Sequence, residues 1–188
     1  MVTDHRPDRS GVARALIEDG PAAGASGSTD TVDSMKPGET IADFTLPDQT
    51  GTPRSLSTFL ADGPVVLFFY PSAMTSGCTA ETCHFRDLAG EFAALDAQPV
   101  GISGDAVDRQ NQFAQINNVS FPLLSDLDKT VAGQFGVKRR FGPLGLKRRT
   151  FVIDRDSTLI VEISSEIKMT RHADRALEVL RERVRVIG

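Results

Sequence analysis

Apolar and polar residues alternate with recognisable periods along most of the chain beyond residue 36. Residues 41–46 alternate toward a strand, and the turn-forming residues 47–51 that follow predict a short hairpin. The continuous apolar run 64–70 is typical of a strand buried on both faces of a sheet. Apolar residues then recur at steps of three and four over 85–95, which predicts an amphipathic helix.

The second half of the chain continues this alternation of strands and helices. Extended segments are predicted at 100–103, 121–124, 150–154 and 158–164, with helices at 105–117, around residue 131 and at the end of the chain. This order predicts an α/β fold: a thioredoxin-like sandwich with a central mixed β-sheet, flanking helices and an N-terminal β-hairpin.

Two helices in this half carry further local signals. Ser125 and Asp128 resemble a capping box, with Asp in place of Glu or Gln, before a helix with a stripe of Leu127, Val131 and Phe135. Gly136 is expected to end that helix. The final helix is predicted to place its apolar residues on one inner face: Ala173, Ala176, Leu177, Leu180 and Val184.

Composition separates the first residues from the rest. Residues 1–35 are predicted to be a disordered N-terminal extension, since 20–34 hold almost no core-forming side chain, and residues 36–188 one domain. No apolar run approaches the roughly 20 residues that span a bilayer, so no membrane association is expected. The N-terminus lacks a signal-peptide pattern, which predicts a cytoplasmic protein. The net charge of −4 argues weakly against nucleic-acid binding.

Cys78 and Cys83 are the two cysteines of the chain. In a reducing compartment such a pair is rarely a structural disulfide, so the alternatives are buried apolar residues, metal ligands or redox chemistry. Cys78 lies where a strand passes through a turn into a helix, with Thr75 or Ser76 as the candidate N-cap. The unpaired N–H groups and dipole of a helix start favour an anion, so this thiol is expected to react as a thiolate. The alternative is a small buried residue.

The spacing of the two cysteines limits what they can do together. Five residues along a helix separate their Cα atoms by about 8.6 Å and turn the side chains about 140° apart, whereas a disulfide needs Cα atoms within roughly 7 Å. Either Cys83 is inert, or the helix start unwinds during function. Zinc is disfavoured because Cys78, Cys83 and His84 offer three donors and His172 is isolated.

The segment from Pro71 to Cys83 resembles the active site of peroxiredoxins. Proline, threonine and cysteine at 71, 75 and 78 match the family signature, and the second cysteine is similar to that of the peroxiredoxin Q subfamily, also called bacterioferritin comigratory proteins. Similarity continues through 43–48, 100–103, 121–126 and 148–154 and covers about 36–188. Ser76 departs from the pattern, since proline is usual there.

The resemblance implies a thiol-dependent peroxidase that reduces hydrogen peroxide and organic hydroperoxides. Cys78 would be the peroxidatic cysteine and become a sulfenic acid, and Cys83 would be the resolving cysteine that forms an intramolecular disulfide with it. A thioredoxin or similar dithiol protein would reduce the disulfide. No cofactor or metal is implied, and members of the subfamily tend to be monomers or weak homodimers.

The resemblance also implies supporting residues. Thr75 would hydrogen-bond both peroxide and sulfur, and Pro71 would shield the thiolate. Arg148 occupies the family's arginine position before the strand and would supply positive charge; Arg149 is the runner-up, expected to point to the other face. Glu81 either fixes the arginine or is a solvated carboxylate in the first helical turn.

Two further hypotheses stand beside the enzyme. A non-enzymatic redox sensor or interaction module would use the same cysteines without reductant-supported turnover. The basic residues within 138–149 would suit a nucleic-acid patch, but the acidic net charge favours a solvated loop carrying one functional arginine. A local resolving cysteine, with no Tyr-Phe tail at the C-terminus, also predicts resistance to overoxidation.

Overall fold

The computed structural model describes residues 35–139 and 145–187. Residues 1–34 of the predicted N-terminal extension and residues 140–144 of the basic loop lie outside these ranges, so the proposed domain boundary stays a prediction. No helix within the described ranges is long and apolar enough to cross a membrane.

A mixed five-stranded sheet forms the centre of the fold, and a separate antiparallel hairpin precedes it. The hairpin pairs β1 (Thr45–Pro47) with β2 (Pro53–Ser55), and the sheet contains β3 (Val65–Phe69), β4 (Gln98–Ser103), β5 (Leu123–Ser125), β6 (Arg149–Ile153) and β7 (Leu159–Ser164). The sheet order is β5-β4-β3-β6-β7, with β4 parallel to β3 and β6 antiparallel to it. The central β3 therefore has both edges paired.

Helices cover both faces of the sheet. They are α1 (Leu56–Asp62), α2 (Ser76–Asp87), α3 (Ala89–Ala93), α4 (Val107–Ile116), α5 (Thr130–Gln134) and α6 (Thr170–Ile187). On one face Leu67 and Phe69 pack with residues of α1 and α5, and on the other Val66 and Phe68 pack with residues of α2, α3, α4 and α6. All five β3 residues are buried, as expected of a strand covered on both faces. The predicted α/β sandwich is confirmed.

Several local predictions were wrong. The 85–95 helix is split at Leu88, which ends α2 and precedes α3. Ser125 belongs to β5, and the buried carboxylate of Asp126 instead accepts the α5 backbone N–H groups of Val131 (3.3 Å) and Ala132 (2.7 Å). The loop carboxylate of Asp126 therefore replaces the capping box. The helix begins later than predicted, after Lys129, whose backbone is in the left-handed conformation.

Two apolar residues lie outside the core that the periodicity assigned to them. Leu127 is 67 % exposed because it precedes α5, and Val184 is 56 % exposed on the last turns of α6.

Candidate active site

The cysteine segment lies at the carboxyl end of the central strand. Tyr70 follows β3 and is fully buried, and the chain then turns before α2 begins at Ser76. Thr75 is the N-cap residue, in an extended conformation, which places Cys78 in the first turn of a 12-residue helix. Cys78 is 1 % exposed, so its sulfur lies in a largely desolvated position beside the helix start.

Thr75 does not cap the helix with its hydroxyl. Its Oγ1 donates to the carbonyl oxygen of Ser72 over 3.1 Å and makes no side-chain bond to the first backbone N–H groups of α2. The alternative cap, Ser76, is the first helical residue instead. The prediction of Thr75 as the N-cap is therefore confirmed by position, but without a capping hydrogen bond, and the N–H groups at the helix start are left for another acceptor.

Arg148 reaches Cys78 from the neighbouring strand. It directly precedes β6, and the register pairs Phe69 with Arg149, so Arg148 lies beyond the end of β3 and beside the turn. Its Nη2 donates to Cys78 Sγ over 3.4 Å. Arg149 points elsewhere, with its Nε 2.8 Å from an oxygen of Glu162 on β7.

Glu81 fixes the other end of the guanidinium. Arg148 Nη1 donates to Glu81 Oε2, and both side chains are buried. Burial raises the pKa of Glu81 to about 8, although Arg148 acts in the opposite direction. Burial would lower the pKa of Arg148, but Glu81 and Cys78 raise it above its ordinary value. The solvated alternative for Glu81 is excluded, and Arg148 stays charged between two acidic groups.

His172 of α6 completes this buried cluster, and the expectation that it is isolated was wrong. It is fully buried, with Nδ1 2.9 Å from Thr150 Oγ1 and Nε2 2.8 Å from the carbonyl oxygen of Ser165. Nδ1 also lies 3.8 Å from Glu81 Oε1. One sequence signal pointed to Thr150: it follows Arg148 by two residues, so in an extended chain both side chains lie on the same face.

A second set of side chains, which the sequence analysis did not predict, holds the turn before Cys78. Asp105, just after β4, accepts the backbone N–H of Ala73 over 2.6 Å, and Arg109 Nη2 donates to the Ala73 carbonyl oxygen over 3.0 Å. Arg109 also pairs with Asp105, at 3.0 Å. These bonds fix a turn in which Met74 adopts a left-handed φ of +68°. Parallel β3 and β4 end at the same edge, which brings Asp105 to this turn.

Cys83 lies two-thirds along α2 and is half-buried. Both cysteines are free thiols. The Cys83 thiol is 3.6 Å from Asn117 Oδ1, and Arg86 Nη1 donates to both the Cys83 sulfur, over 3.6 Å, and the Asn117 carbonyl oxygen, over 2.6 Å. The helix is continuous from Ser76 to Asp87, so the two sulfurs stand apart in this conformation.

The remaining predicted site residue is Pro71, which is half-buried at the first position of the turn after Tyr70. Among residues 35–139 and 145–187, no group of three His, Cys, Asp or Glu side chains is arranged to hold a metal ion. The arrangement presents a sulfur nucleophile beside a fixed cation and unpaired helical N–H groups, which can stabilise negative charge on sulfur and on a departing oxygen.

Comparisons with known proteins agree with this chemistry. A family model described as the AhpC/TSA family matches residues 37–161. Peroxiredoxin Bcp of Bacillus subtilis is 37 % identical over 150 residues, covering 77 % of this chain and 94 % of the relative. These matches confirm the resemblance to the peroxiredoxin Q subfamily.

Solved structures extend the agreement to the fold. Peroxidoxin BcpB from Mycobacterium tuberculosis superposes with a TM-score of 0.76 at 60 % identity, covering 79 % of this chain and 97 % of that one. The bacterioferritin comigratory protein of Xanthomonas campestris, described by its alkyl peroxide reduction activity, has a TM-score of 0.68 at 30 % identity and covers 74 % and 91 % of the two chains.

Proposed function

Because the chain belongs to the AhpC/TSA family of peroxiredoxins, we propose that Cys78 is its peroxidatic cysteine and Cys83 its resolving cysteine. The protein is a thiol-dependent peroxidase. The observation that supports the residue assignment is the buried Cys78 sulfur at the start of α2, 3.4 Å from the charged Nη2 of Arg148.

In the first step the Cys78 thiolate attacks one oxygen of the hydroperoxide. A sulfur–oxygen bond forms, the oxygen–oxygen bond breaks, and its electron pair leaves with the second oxygen, which takes a proton to become water or an alcohol. Cys78 is oxidised to a sulfenic acid. Arg148 and the backbone N–H groups of the helix start stabilise the charge that moves from sulfur to the departing oxygen. Thr75 and Pro71 shape the approach to the sulfur.

In the second step the Cys83 thiolate attacks the Cys78 sulfur. A disulfide forms, and hydroxide leaves and is protonated to water. This step requires the first turns of α2 to unwind, because the intact helix holds the two Cα atoms about 8.6 Å apart. A thioredoxin-like dithiol protein then reduces the disulfide by thiol–disulfide exchange and returns both cysteines to the thiol state. No prosthetic group takes part.

The substrates we infer are hydrogen peroxide and organic hydroperoxides. The alkyl peroxide activity of the Xanthomonas campestris relative supports the second class. A monomer or weak homodimer, a cytoplasmic location, and the absence of nucleic-acid or membrane partners remain predictions from the sequence and the family.

Rapid mixing with hydrogen peroxide tests the assignment. We expect fast loss of one thiol followed by a Cys78–Cys83 disulfide, seen by mass spectrometry of the alkylated protein. Cys78→Ser should abolish peroxide consumption, whereas Cys83→Ser should keep the first oxidation and lose the intramolecular disulfide. Unchanged turnover in Cys78→Ser would reject the proposal.

A coupled assay distinguishes the enzyme from the redox sensor. Thioredoxin, its reductase and NADPH are mixed with the protein and peroxide. Steady peroxide-dependent NADPH consumption supports the enzyme, while a single stoichiometric oxidation without turnover supports the sensor.

A further inference from the structure

Arg148 has two acidic neighbours and one positive charge. Its Nη2 contacts the Cys78 sulfur and its Nη1 contacts Glu81, and all three side chains are buried. If Cys78 and Glu81 are both ionised, the three groups carry a net negative charge in a desolvated site. A buried net charge without a partner raises the free energy of the folded protein. The site is therefore expected to take up a proton, which neutralises the excess negative charge.

His172 lies on the far side of the Glu81 carboxylate and has a defined tautomer. Its Nε2 faces the Ser165 carbonyl oxygen, which can only accept, so Nε2 carries a proton. In the neutral ring Nδ1 is then an acceptor, and it faces Thr150 Oγ1 and Glu81 Oε1. Thr150 Oγ1 donates its hydroxyl proton to the neutral ring and accepts instead when Nδ1 carries a proton.

Glu81 Oε1 is the unsatisfied acceptor of this arrangement, and Arg148 Nε is a buried donor that also lacks a partner within the described residues. Glu81 Oε1 is buried and has no hydrogen-bond partner within the described part of the chain, and it lies 3.8 Å from His172 Nδ1. Two acceptors facing each other in a buried site repel, whereas one proton on either of them removes this repulsion. A carboxylic acid beside a neutral imidazole and a carboxylate beside an imidazolium are the two forms of this pair.

We propose that His172 is a positioning residue that shares one proton with Glu81, so that the charge of Arg148 is left to the Cys78 thiolate. The proposal rests on the function assigned to Cys78 above. When Cys78 gives up its thiol proton, the Glu81–His172 pair holds one, and the cluster of thiolate, guanidinium and protonated pair is neutral.

The other charged groups around His172 do not supply this balance. Arg149 disfavours its protonation and Glu166 favours it, and these two residues pair with each other at 3.8 Å. Arg148 acts against protonation, and burial lowers the pKa of His172 while it raises that of Glu81. Both shifts favour the form in which Glu81 carries the shared proton.

The test is the pH dependence of Cys78 oxidation. The second-order rate constant with hydrogen peroxide is measured by rapid mixing from pH 5 to 9 for wild type, His172→Gln and His172→Phe. Glutamine keeps hydrogen-bonding groups for Thr150 and Ser165 but does not take the proton. We expect both variants to reach half of their maximal rate about one pH unit higher, and so to react about 10-fold slower at acidic pH.

His84→Gln is the matched control, since that histidine is partly exposed on α2 and pairs with Asp174. It should keep the wild-type profile. The thermal unfolding of each variant is recorded beside the rates.

Two outcomes would overturn the inference. One is a wild-type pH profile in His172→Gln. The other is a loss by the same factor at every pH, which would mean that His172 supports only the fold. If wild-type Cys78 itself does not react with peroxide, the assignment of Cys78 fails instead.

Discussion

The Arg148 guanidinium donates to the sulfur of Cys78 over 3.4 Å, although 70 residues separate them in sequence. The antiparallel pairing of β6 with β3 creates this contact, because Arg148 enters β6 at the edge where β3 turns into α2. Helix α2 therefore positions the thiol, and the chain entering β6 places the positive charge of Arg148 beside it. The register of the sheet thus decides which cation the sulfur meets.

The first prediction concerns this arginine. Arg148→Lys keeps a positive charge near Glu81 but loses the planar fork that contacts carboxylate and sulfur together. We expect the rate constant for Cys78 oxidation by hydrogen peroxide to fall about 100-fold, by analogy with removing one donor to a developing anion. Rapid mixing with peroxide measures it.

Arg149→Lys serves as the control. Arg149 is adjacent in sequence but pairs with Glu162, so its replacement should leave the rate within about twofold. Equal losses in the two variants would mean that the contact between Arg148 and Cys78 has no special role in the chemistry.

The second prediction concerns the turn before the helix. Asp105→Asn weakens the charged hydrogen bond to the Ala73 N–H and the ion pair with Arg109, which together fix the turn. We expect a loss of about 1 to 3 kcal/mol in the free energy of unfolding and a 10- to 100-fold slower oxidation of Cys78, roughly the effect of a misplaced reacting group. Urea denaturation and rapid mixing measure the two quantities.

Asp108→Asn is its control, because Asp108 is exposed in the first turn of α4. It should react with peroxide at the wild-type rate. Wild-type reactivity in Asp105→Asn would show that the turn keeps its geometry without this carboxylate.

The fold and the position of Cys78 at a helix start could be predicted from the sequence because they depend on local patterns. The apolar run 64–70 marked the central strand, and the strand–turn–helix pattern marked the position of Cys78. Arg148 required the family resemblance, since nothing in its local sequence distinguishes it from Arg149 except the face of the strand. Sheet register makes that distinction in the structure.

The buried polar groups behind the site could not be predicted in the same way. His172 lies on α6, and its contact with Glu81 depends on how two helices pack over one face of the sheet. The hydroxyl of Thr75 faces Ser72 rather than the helix, which is set by the turn that Asp105 holds. Such contacts join distant segments through tertiary packing, which leaves no period or spacing in the sequence.

The third prediction is the pH dependence of stability contributed by Glu81. Its pKa is raised from 4.5 to about 8 in the folded protein, so the folded state binds the proton more tightly than the unfolded state. This contribution is fully present below pH 4.5 and is lost as the pH rises through 8. The free energy of unfolding of wild type relative to Glu81→Gln should therefore fall across this range, measured by urea denaturation of the reduced proteins.

Glu178→Gln provides the comparison, since Glu178 is an exposed carboxylate on α6. The difference in free energy of unfolding between Glu178→Gln and wild type should change little over the same pH range. A difference between wild type and Glu81→Gln that grows with pH would mean that the ion pair with Arg148 dominates over burial.

The fourth prediction concerns the unwinding that the disulfide needs. Gly77 is the second residue of α2, and a Cβ there would lie 3.4 Å from Arg148 Nη2 and 3.7 Å from Met169, which are ordinary contact distances. Gly77→Ala should therefore fit and stabilise the helix start by up to about 1 kcal/mol. Since this turn must open before Cys83 reaches Cys78, we expect disulfide formation to slow by up to about fivefold while oxidation of Cys78 is unchanged.

A slower second step leaves the sulfenic acid exposed to a second peroxide for longer, so Gly77→Ala should also accumulate more sulfinic acid at Cys78 during turnover with reductant. Wild type, with Cys83 as the proposed local resolving cysteine, should accumulate little. Gly90→Ala in α3 is the control, because a Cβ there meets no described atom within 4 Å and α3 lies outside the unwinding turns. Mass spectrometry of both variants after turnover measures the sulfinic acid at Cys78. Equal amounts in Gly77→Ala and Gly90→Ala would indicate that opening of the helix start does not limit disulfide formation.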